Sequence, residues 1–412
     1  MKTHQHHFAN SKTTLHALTL ALLLVCGCAG RVLAQECKRA VQDPNLTTIE
    51  DCGRVIFTHK PIHLLPPASI APGSGPAFGL VAETERNNDN WQNHFQFNGG
   101  VTFNQSYFVG GEAKFSRRLT NPASSSTVRD RLNIRTYFKF WDLTEMKYYG
   151  LGPNTKKTDL ALFERRDAML GADVRLPLSG WLAVGGAIES LWPHIEGVRD
   201  TQMRSIEKKY TEKTAPGLTT QPHFMRYEVS LQPHYPAKKP YRVDYKVGYN
   251  FYHDTKDGRF SFRRFEGDFK HDIRFPLPNS NHLTLRARLA TSQTDRGNEV
   301  PFYYQETLGG SDINGDYGLR SFNDYRFRAR NLMLYTVEYQ YEVWKKHGVG
   351  IAAFYDAGSV ANHARDLSFD NIRHSYGIGF SVSKGDRVYF RVFAAFGGGE
   401  GVHPFVGVPK LF

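Results

Sequence analysis

The sequence predicts an all-β fold: an antiparallel transmembrane β-barrel of about sixteen strands. Three observations carry this. Apolar and polar residues alternate with period two over many segments, the signature of a strand with two different faces. Those segments run to ten or more residues, near the nine to eleven or so that a bilayer-crossing strand needs and beyond the five or six usual in soluble sheets. After the N-terminal leader no stretch approaches ~18 consecutive apolar residues. A chain that spans a membrane without such helices must close into a barrel, because hydrocarbon satisfies no backbone hydrogen bond.

Bulk composition is compatible with that reading. The chain has 412 residues, 40% hydrophobic and 13% aromatic, with a mean hydropathy of -0.47. A low average is expected where lipid-facing and lumen-facing residues alternate.

The leader comes first in chain order. Lys2 and Lys12 form a basic region, Leu15 to Val25 an apolar one, and Val32-Leu33-Ala34 a small-residue cleavage site. Residues 1–34 therefore read as a signal peptide, and the mature chain starts at Gln35. An alternative is a lipobox at Val25-Cys26-Gly27-Cys28 with Cys28 lipidated. Cleavage after Ala34 leaves two cysteines, Cys37 and Cys52, in the short lead 35–63. In an exported chain such a pair predicts a disulfide, with two free thiols as the other reading. Removing the leader cations Lys2, Lys12 and Arg31 from a formal net charge of +12 leaves +9. These charges are spread singly along strand-like runs. They suit a solvated lumen and loops, not the massed patch of a nucleic-acid-binding protein.

The barrel is expected over residues 64–412, with strands at 64–72, 77–88, 92–104, 106–118, 129–141, 158–176, 179–193, 221–235, 240–254, 259–275, 281–293, 328–344, 348–360, 372–384, 386–397 and 403–412. The alternation is clearest at 241–254, where Tyr241, Val243, Tyr245, Val247, Tyr249 and Phe251 share one face and Arg242, Asp244, Lys246 and Asn250 the other. At 283–290, Leu283, Leu285, Ala287 and Leu289 alternate with Thr284, Arg286, Arg288 and Ala290. Tyrosines and phenylalanines crowd the strand ends, as in interfacial girdles. Pro66, Pro67 and Pro72 interrupt the first strand, since proline donates nothing to a ladder. Connections alternate between tight (236–240 and 276–281) and long (142–157, 195–220 and 294–327), the pattern of periplasmic turns and outer loops.

Four stretches give the chain a family resemblance. They are Phe302 to Phe322, "FYYQETLGGSDINGDYGLRSF"; Val337 to Tyr339, "VEY"; Phe354 to Val360, "FYDAGSV"; and Tyr148 to Thr155, "YYGLGPNT". They resemble the barrel of the BamA/TamA-type outer-membrane assembly factors, the bacterial surface-antigen family, the first and third also by their order and spacing. The resemblance implies a long sixth outer loop folded into the barrel, anchored by the Arg320-bearing tip. Alternation agrees: Glu338 falls on the polar face of its strand, and Asp356 shares a face with Ala352, Phe354 and Gly358. Two acids then point inward on adjacent strands, where one guanidinium can meet both. Arg320, Phe322, Glu338 and Asp356 are the candidate loop lock. Ser321 stands where the family has a glycine, which puts the tight turn at the tip in question.

Phe412 at the C-terminus, with Gly407 five residues earlier, resembles the signal by which barrel proteins are selected for outer-membrane insertion. Pro409 weakens the last strand as the early prolines weaken the first, and the family's proposed lateral gate lies at that seam. No G-x-S-x-G, H-E-x-x-H or paired C-x-x-C occurs, and His4, His6 and His7 lie in the leader. No enzyme, metal or cofactor is implied. Residues 35–63 are too short for one of the family's periplasmic POTRA modules, so the resemblance covers the barrel alone.

The expected location is the bacterial cell outer membrane. The expected partners are outer-membrane lipid and nascent outer-membrane proteins or other periplasmic partners, with no nucleic acid. The function implied is insertion or translocation of protein or lipid. The alternatives are a pore or structural surface barrel that has lost the assembly role and, further off, an outer-membrane lipid-modifying enzyme.

Overall fold

The computed structural model describes residues 60–65, 68–88, 90–118, 131–198, 204–235, 241–275, 281–344, 348–384 and 387–407, with Lys38, Gln42 and Thr48. The candidate disulfide Cys37–Cys52, the leader and Phe412 lie outside these residues.

The strands are β1 (Ile62–Leu64), β2 (Ala68–Ser69), β3 (Pro76–Asn87), β4 (Trp91–Thr102), β5 (Tyr107–Arg118), β6 (Arg131–Tyr148), β7 (Ala161–Ser179), β8 (Leu182–Gly197), β9 (Phe224–Tyr235), β10 (Tyr241–Asp254), β11 (Phe262–Phe275), β12 (Asn281–Gln293), β13 (Glu306–Leu308), β14 (Phe327–Ala329), β15 (Asn331–Trp344), β16 (Val349–Ala361), β17 (Arg373–Lys384), β18 (Arg387–Phe396) and β19 (His403–Gly407). Seventeen of them form the main sheet, and β13 and β14 pair separately. The seventeen fill sixteen positions, because β1 and β2 lie end to end on one edge of β3. From β3 to β12 and from β15 to β19 each strand pairs antiparallel with the next, and β12 pairs with β15 across the longest loop.

The period-two pattern sorts residues to two surfaces. Along β16, Ile351, Ala353 and Tyr355 are exposed while Ala352, Phe354 and Asp356 are buried. The register continues the outer row sideways: Leu285 opposes Val337, Val337 opposes Tyr355 and Tyr355 opposes Tyr376. All four are exposed aromatic or aliphatic side chains, as a lipid-facing surface requires.

Three details differ from the sequence expectation. The first strand is broken: β1 ends at Leu64 and β2 starts at Ala68, with the Pro66-Pro67 pair between them. Its pairing starts at Ile62, opposite Ala82, two residues ahead of the expected boundary. Residues 328–329 do not open the long strand but belong to β14, which closes on β13 with Leu308 opposite Phe327. The expected outer loop from 142 is shorter, because β6 continues through a register shift between Leu143 and Met146 to Tyr148.

The chain from 294 to 330 turns into the barrel and acts as its plug. Tyr148, Phe163, Ile206, Leu218, Phe302 and Tyr303 form a buried apolar cluster. The 198–223 loop and the plug share it, and Phe302 N–H donates to the Pro216 carbonyl at 2.8 Å. The plug borders a chamber of about 1060 Å³ whose walls include Arg135, Lys139, Arg226, Lys246, Glu266 and Asp268.

Candidate functional site

β13 and β14 form the neck of the plug, and residues 309–326 the loop they close. The loop starts with glycines for a physical reason. Gly309 (φ 124°) and Gly310 (φ 54°) both have positive φ. A Cβ on Gly309 would come within 2.6 Å of the Arg326 side chain, and one on Gly310 would strike Asp324. The Asp324 carboxylate fills the turn and accepts the Ser311 N–H at 2.9 Å.

The tip carries Arg320, with its side chain fully buried. Its Nε and Nη2 each donate to one oxygen of Asp356, both at 2.9 Å. Its Nη1 donates to Glu338 at 2.5 Å. Register explains how one guanidinium reaches both acids. Thr336 opposes Asp356 and Glu338 opposes Phe354, so the acids are diagonal neighbours on the lumen face, a spacing long side chains bridge. The Phe354 ring lies under the guanidinium, its centroid 3.4 Å from Cζ, a stacking geometry that suits arginine. Gly377, opposite Phe354, leaves room for that ring; a Cβ there would fall 2.7 Å from it. Gly358 has a matching role beside the plug. A Cβ on it would lie 2.9 Å from the Met333 carbonyl and 3.0 Å from Leu308.

Ser321 is a correction to the doubt raised by its sequence. It is buried, and its N–H donates to Ser375 Oγ at 2.8 Å. Among the described residues, the non-glycine positions with positive φ are Gln105 and Tyr325. The left-handed turn thus falls at Tyr325, and Ser321 needs no glycine freedom. Phe322 does not join the charge cluster. It packs with Leu308, Leu319, Phe327, Leu332 and Val360 in an apolar layer and stands edge-on to Phe327 at 5.2 Å.

Residues 243–385 match the Omp85 superfamily domain, a stretch that contains Arg320, Glu338 and Asp356. Over this stretch the barrel is similar to the Omp85 type. Among solved structures it is similar to BamA from Haemophilus ducreyi lacking POTRA domains 1–3, with 12% identity, a TM-score of 0.52, 87% of this chain covered and 76% of that one. It is also similar to CdiB from Acinetobacter baumannii, with 10% identity, a TM-score of 0.48 and coverage of 88% and 67%. No curated protein matches the sequence. The Omp85-type fold places the protein in the outer membrane.

The barrel holds its plug with more than the predicted lock. Arg391 of β18 donates to the second oxygen of Glu338 at 3.0 Å, so Glu338 sits between two arginines. On β12, Arg288 pairs with Asp312 at 3.0 Å and Arg286 with Asp316 at 3.5 Å. The signal for these was present: Arg286 and Arg288 occupy successive polar-face positions, and "DINGD" supplies acids four residues apart. What sequence alone lacked was the depth at which the loop enters.

The motif Tyr148 to Thr155 docks on the neck. Gly152 N–H donates to the Arg328 carbonyl at 2.7 Å, and Tyr148 donates to the Thr214 carbonyl at 2.6 Å. Gly407, the last described residue, pairs with Arg391.

Proposed function

We propose that this protein is an assembly- or translocation-type barrel that inserts or moves protein or lipid at the outer membrane. The observation that carries the reading is the buried Arg320 held by Glu338 and Asp356, which fixes a loop inside an Omp85-type barrel. A guanidinium so far from water is stable only while its carboxylates stay in place. The plug therefore has a docked state defined by three charges, and losing that docking exposes the lumen.

In this reading the chain comprises a signal peptide at 1–34, a periplasmic lead at 35–63 with a Cys37–Cys52 disulfide, and the barrel at 64–412. The partners are outer-membrane lipid and nascent outer-membrane proteins or other periplasmic proteins. The barrel performs no covalent chemistry and needs no cofactor.

Depletion followed by an outer-membrane proteome and a surface-lipid profile tests the function. Loss of other barrels or of surface lipid is the expected result. The chamber of about 1060 Å³, with charges of both signs on its walls, favours a second reading: a pore or structural surface barrel. Unchanged barrels and lipids with altered solute permeability would decide for that one.

A further inference from the structure

On the outer wall of β10, β11 and β12 the lipid-facing surface ends in a groove. Toward the middle of these strands Tyr249 opposes Phe265, and Phe265 opposes Thr291. Both rings are exposed, as a surface against acyl chains requires. One outward-facing position further along, the row turns polar: Phe251 opposes Arg263, and Arg263 opposes Gln293. Such a change marks the level of the lipid headgroups, here at the strand ends that lead into the plug. The groove at that level measures about 240 Å³ and is lined by Phe251, His253, Gly258, Arg263, Gln293 and Asp295.

Its walls are tied together. Asn298 Nδ2 donates to the Gly258 carbonyl at 3.0 Å, and the Glu299 N–H donates to the Arg259 carbonyl at 3.0 Å. The 255–261 hairpin and the first residues of the plug chain are therefore held side by side. Gly258 has a positive φ of 78°, and a Cβ added to it would meet nothing within 4 Å, so this wall faces open space. The Phe251 ring is stacked on His253 at 6.0 Å and on Tyr227 at 6.5 Å. Arg263 Nη1 and Nη2 donate to the two oxygens of Asp295 at 3.1 and 3.4 Å. That pair is open: its side chains are 45% and 67% exposed. An exposed pair holds its partners weakly, and a guanidinium carries more donors than these two.

We propose that this groove binds a zwitterionic lipid headgroup of the phosphoethanolamine class, with its phosphate on Arg263 and Gln293 and its ammonium on Asp295. Charge selects that class. Arg263 and Asp295 cancel, so an anionic headgroup gains the guanidinium but is repelled by the carboxylate beside it. A headgroup that carries both charges contacts both ions and leaves the balance unchanged. The guanidinium fork suits phosphate oxygens, and the acyl chains then lie along the exposed Tyr249 and Phe265 rows. The carrier is a phospholipid or a phosphorylated glycolipid; the shared group is what the groove reads. The inference goes beyond the assembly reading, because it assigns a lipid class to one place on the wall and needs neither cargo nor a movable plug.

The test is native mass spectrometry of the purified full-length protein in detergent. It is titrated with phosphatidylethanolamine, with phosphatidylglycerol, and with lipid A bearing or lacking a phosphoethanolamine substituent. Wild type is expected to bind phosphatidylethanolamine about fivefold more tightly than phosphatidylglycerol, the scale of one contact at an exposed charge. Arg263→Gln is expected to weaken phosphatidylethanolamine binding about fivefold on the same scale. Asp295→Asn is expected to erase the preference, because nothing then repels the anionic headgroup. Heat-modifiable mobility shows which variants keep the barrel. Equal wild-type affinity for the two phospholipids overturns the zwitterion assignment, and that measurement needs no variant. A preference that survives in both variants, with mobility retained, overturns the site. Tighter binding of substituted than of unsubstituted lipid A supports the shared group as the ligand and adds a glycolipid carrier; equal binding overturns the glycolipid as a source. The titration and the depletion experiment can fail independently.

Discussion

Arg320 meets Asp356 at two points, Nε to Oδ2 and Nη2 to Oδ1, both at 2.9 Å, while its remaining nitrogen Nη1 reaches Glu338. The fork therefore spans two strands, β15 and β16. This pairing sets the first prediction. Arg320→Ala leaves two carboxylates inside the barrel without their shared cation, and breaking such a pair costs about 3–5 kcal/mol. Loss of heat-modifiable stability and a rise in single-channel conductance are expected. Unchanged values of both would show that the contact does not hold the plug. Arg320→Lys is expected to recover only part of the stability, because an ammonium cannot make the two-point contact.

Gly358 is expected to tolerate nothing larger. In Gly358→Val the new side chain enters space held by the Met333 carbonyl and Leu308, and overpacking of this kind costs about 1–3 kcal/mol. Leu308 belongs to the plug neck, so limited proteolysis should cut the 309–326 loop faster in this variant than in wild type. Equal cutting rates would count against the close fit.

The acids of "DINGD" should matter less than the lock. Asp312 and Asp316 meet Arg288 and Arg286, whose side chains keep some exposure, whereas Arg320 and Asp356 keep none. Asp312→Asn with Asp316→Asn should lower the melting temperature by clearly less than Arg320→Ala does. A larger loss would relocate the main anchor of the plug to β12.

Glu212, in the outer loop 198–223, predicts a pH dependence. Burial raises its carboxyl, but donors outweigh this: the N–H groups of Gly217 (2.8 Å) and Thr219 (2.7 Å) and the Thr219 hydroxyl (2.8 Å) hold its pKa below the ordinary 4.5. A depressed carboxylate stabilises the fold above its unfolded pKa, and the contribution falls away as pH drops through the folded value. Amide-exchange protection at residues 217–220 should thus be full above pH 4.5 and decline below it. Glu212→Gln should abolish that decline. A decline that persists in the variant assigns it to another group.

Much of the site was legible because the side-chain period of a strand is two. That period places Glu338 and Asp356 on lumen faces whatever the rest of the chain does, and it places Arg286 and Arg288 there too. The break in the first strand was legible from Pro66 and Pro67, for want of two donors. Two features were not. Arg391 lies far along the chain from Glu338, and only the ordering of strands around the barrel brings β18 close enough. Ser321 looked like a misfit because φ belongs to the backbone path, and the path placed its left-handed residue four positions later at Tyr325.

The sequence by itself determined which residues face lipid and which face the lumen, how many strands cross, and which loop is long enough to enter. The tertiary structure alone decided how deep that loop goes and what it grips. Depth depends on Gly358 yielding space to Leu308, on Gly377 yielding space to the ring of Phe354, and on Gly398 to that of Phe322. Such accommodations occur between residues far apart in sequence, where alternation along one strand carries no information. The reach of Tyr325 to the Pro72 carbonyl and of Arg326 to Glu400 is of the same kind: both join residues far apart in sequence.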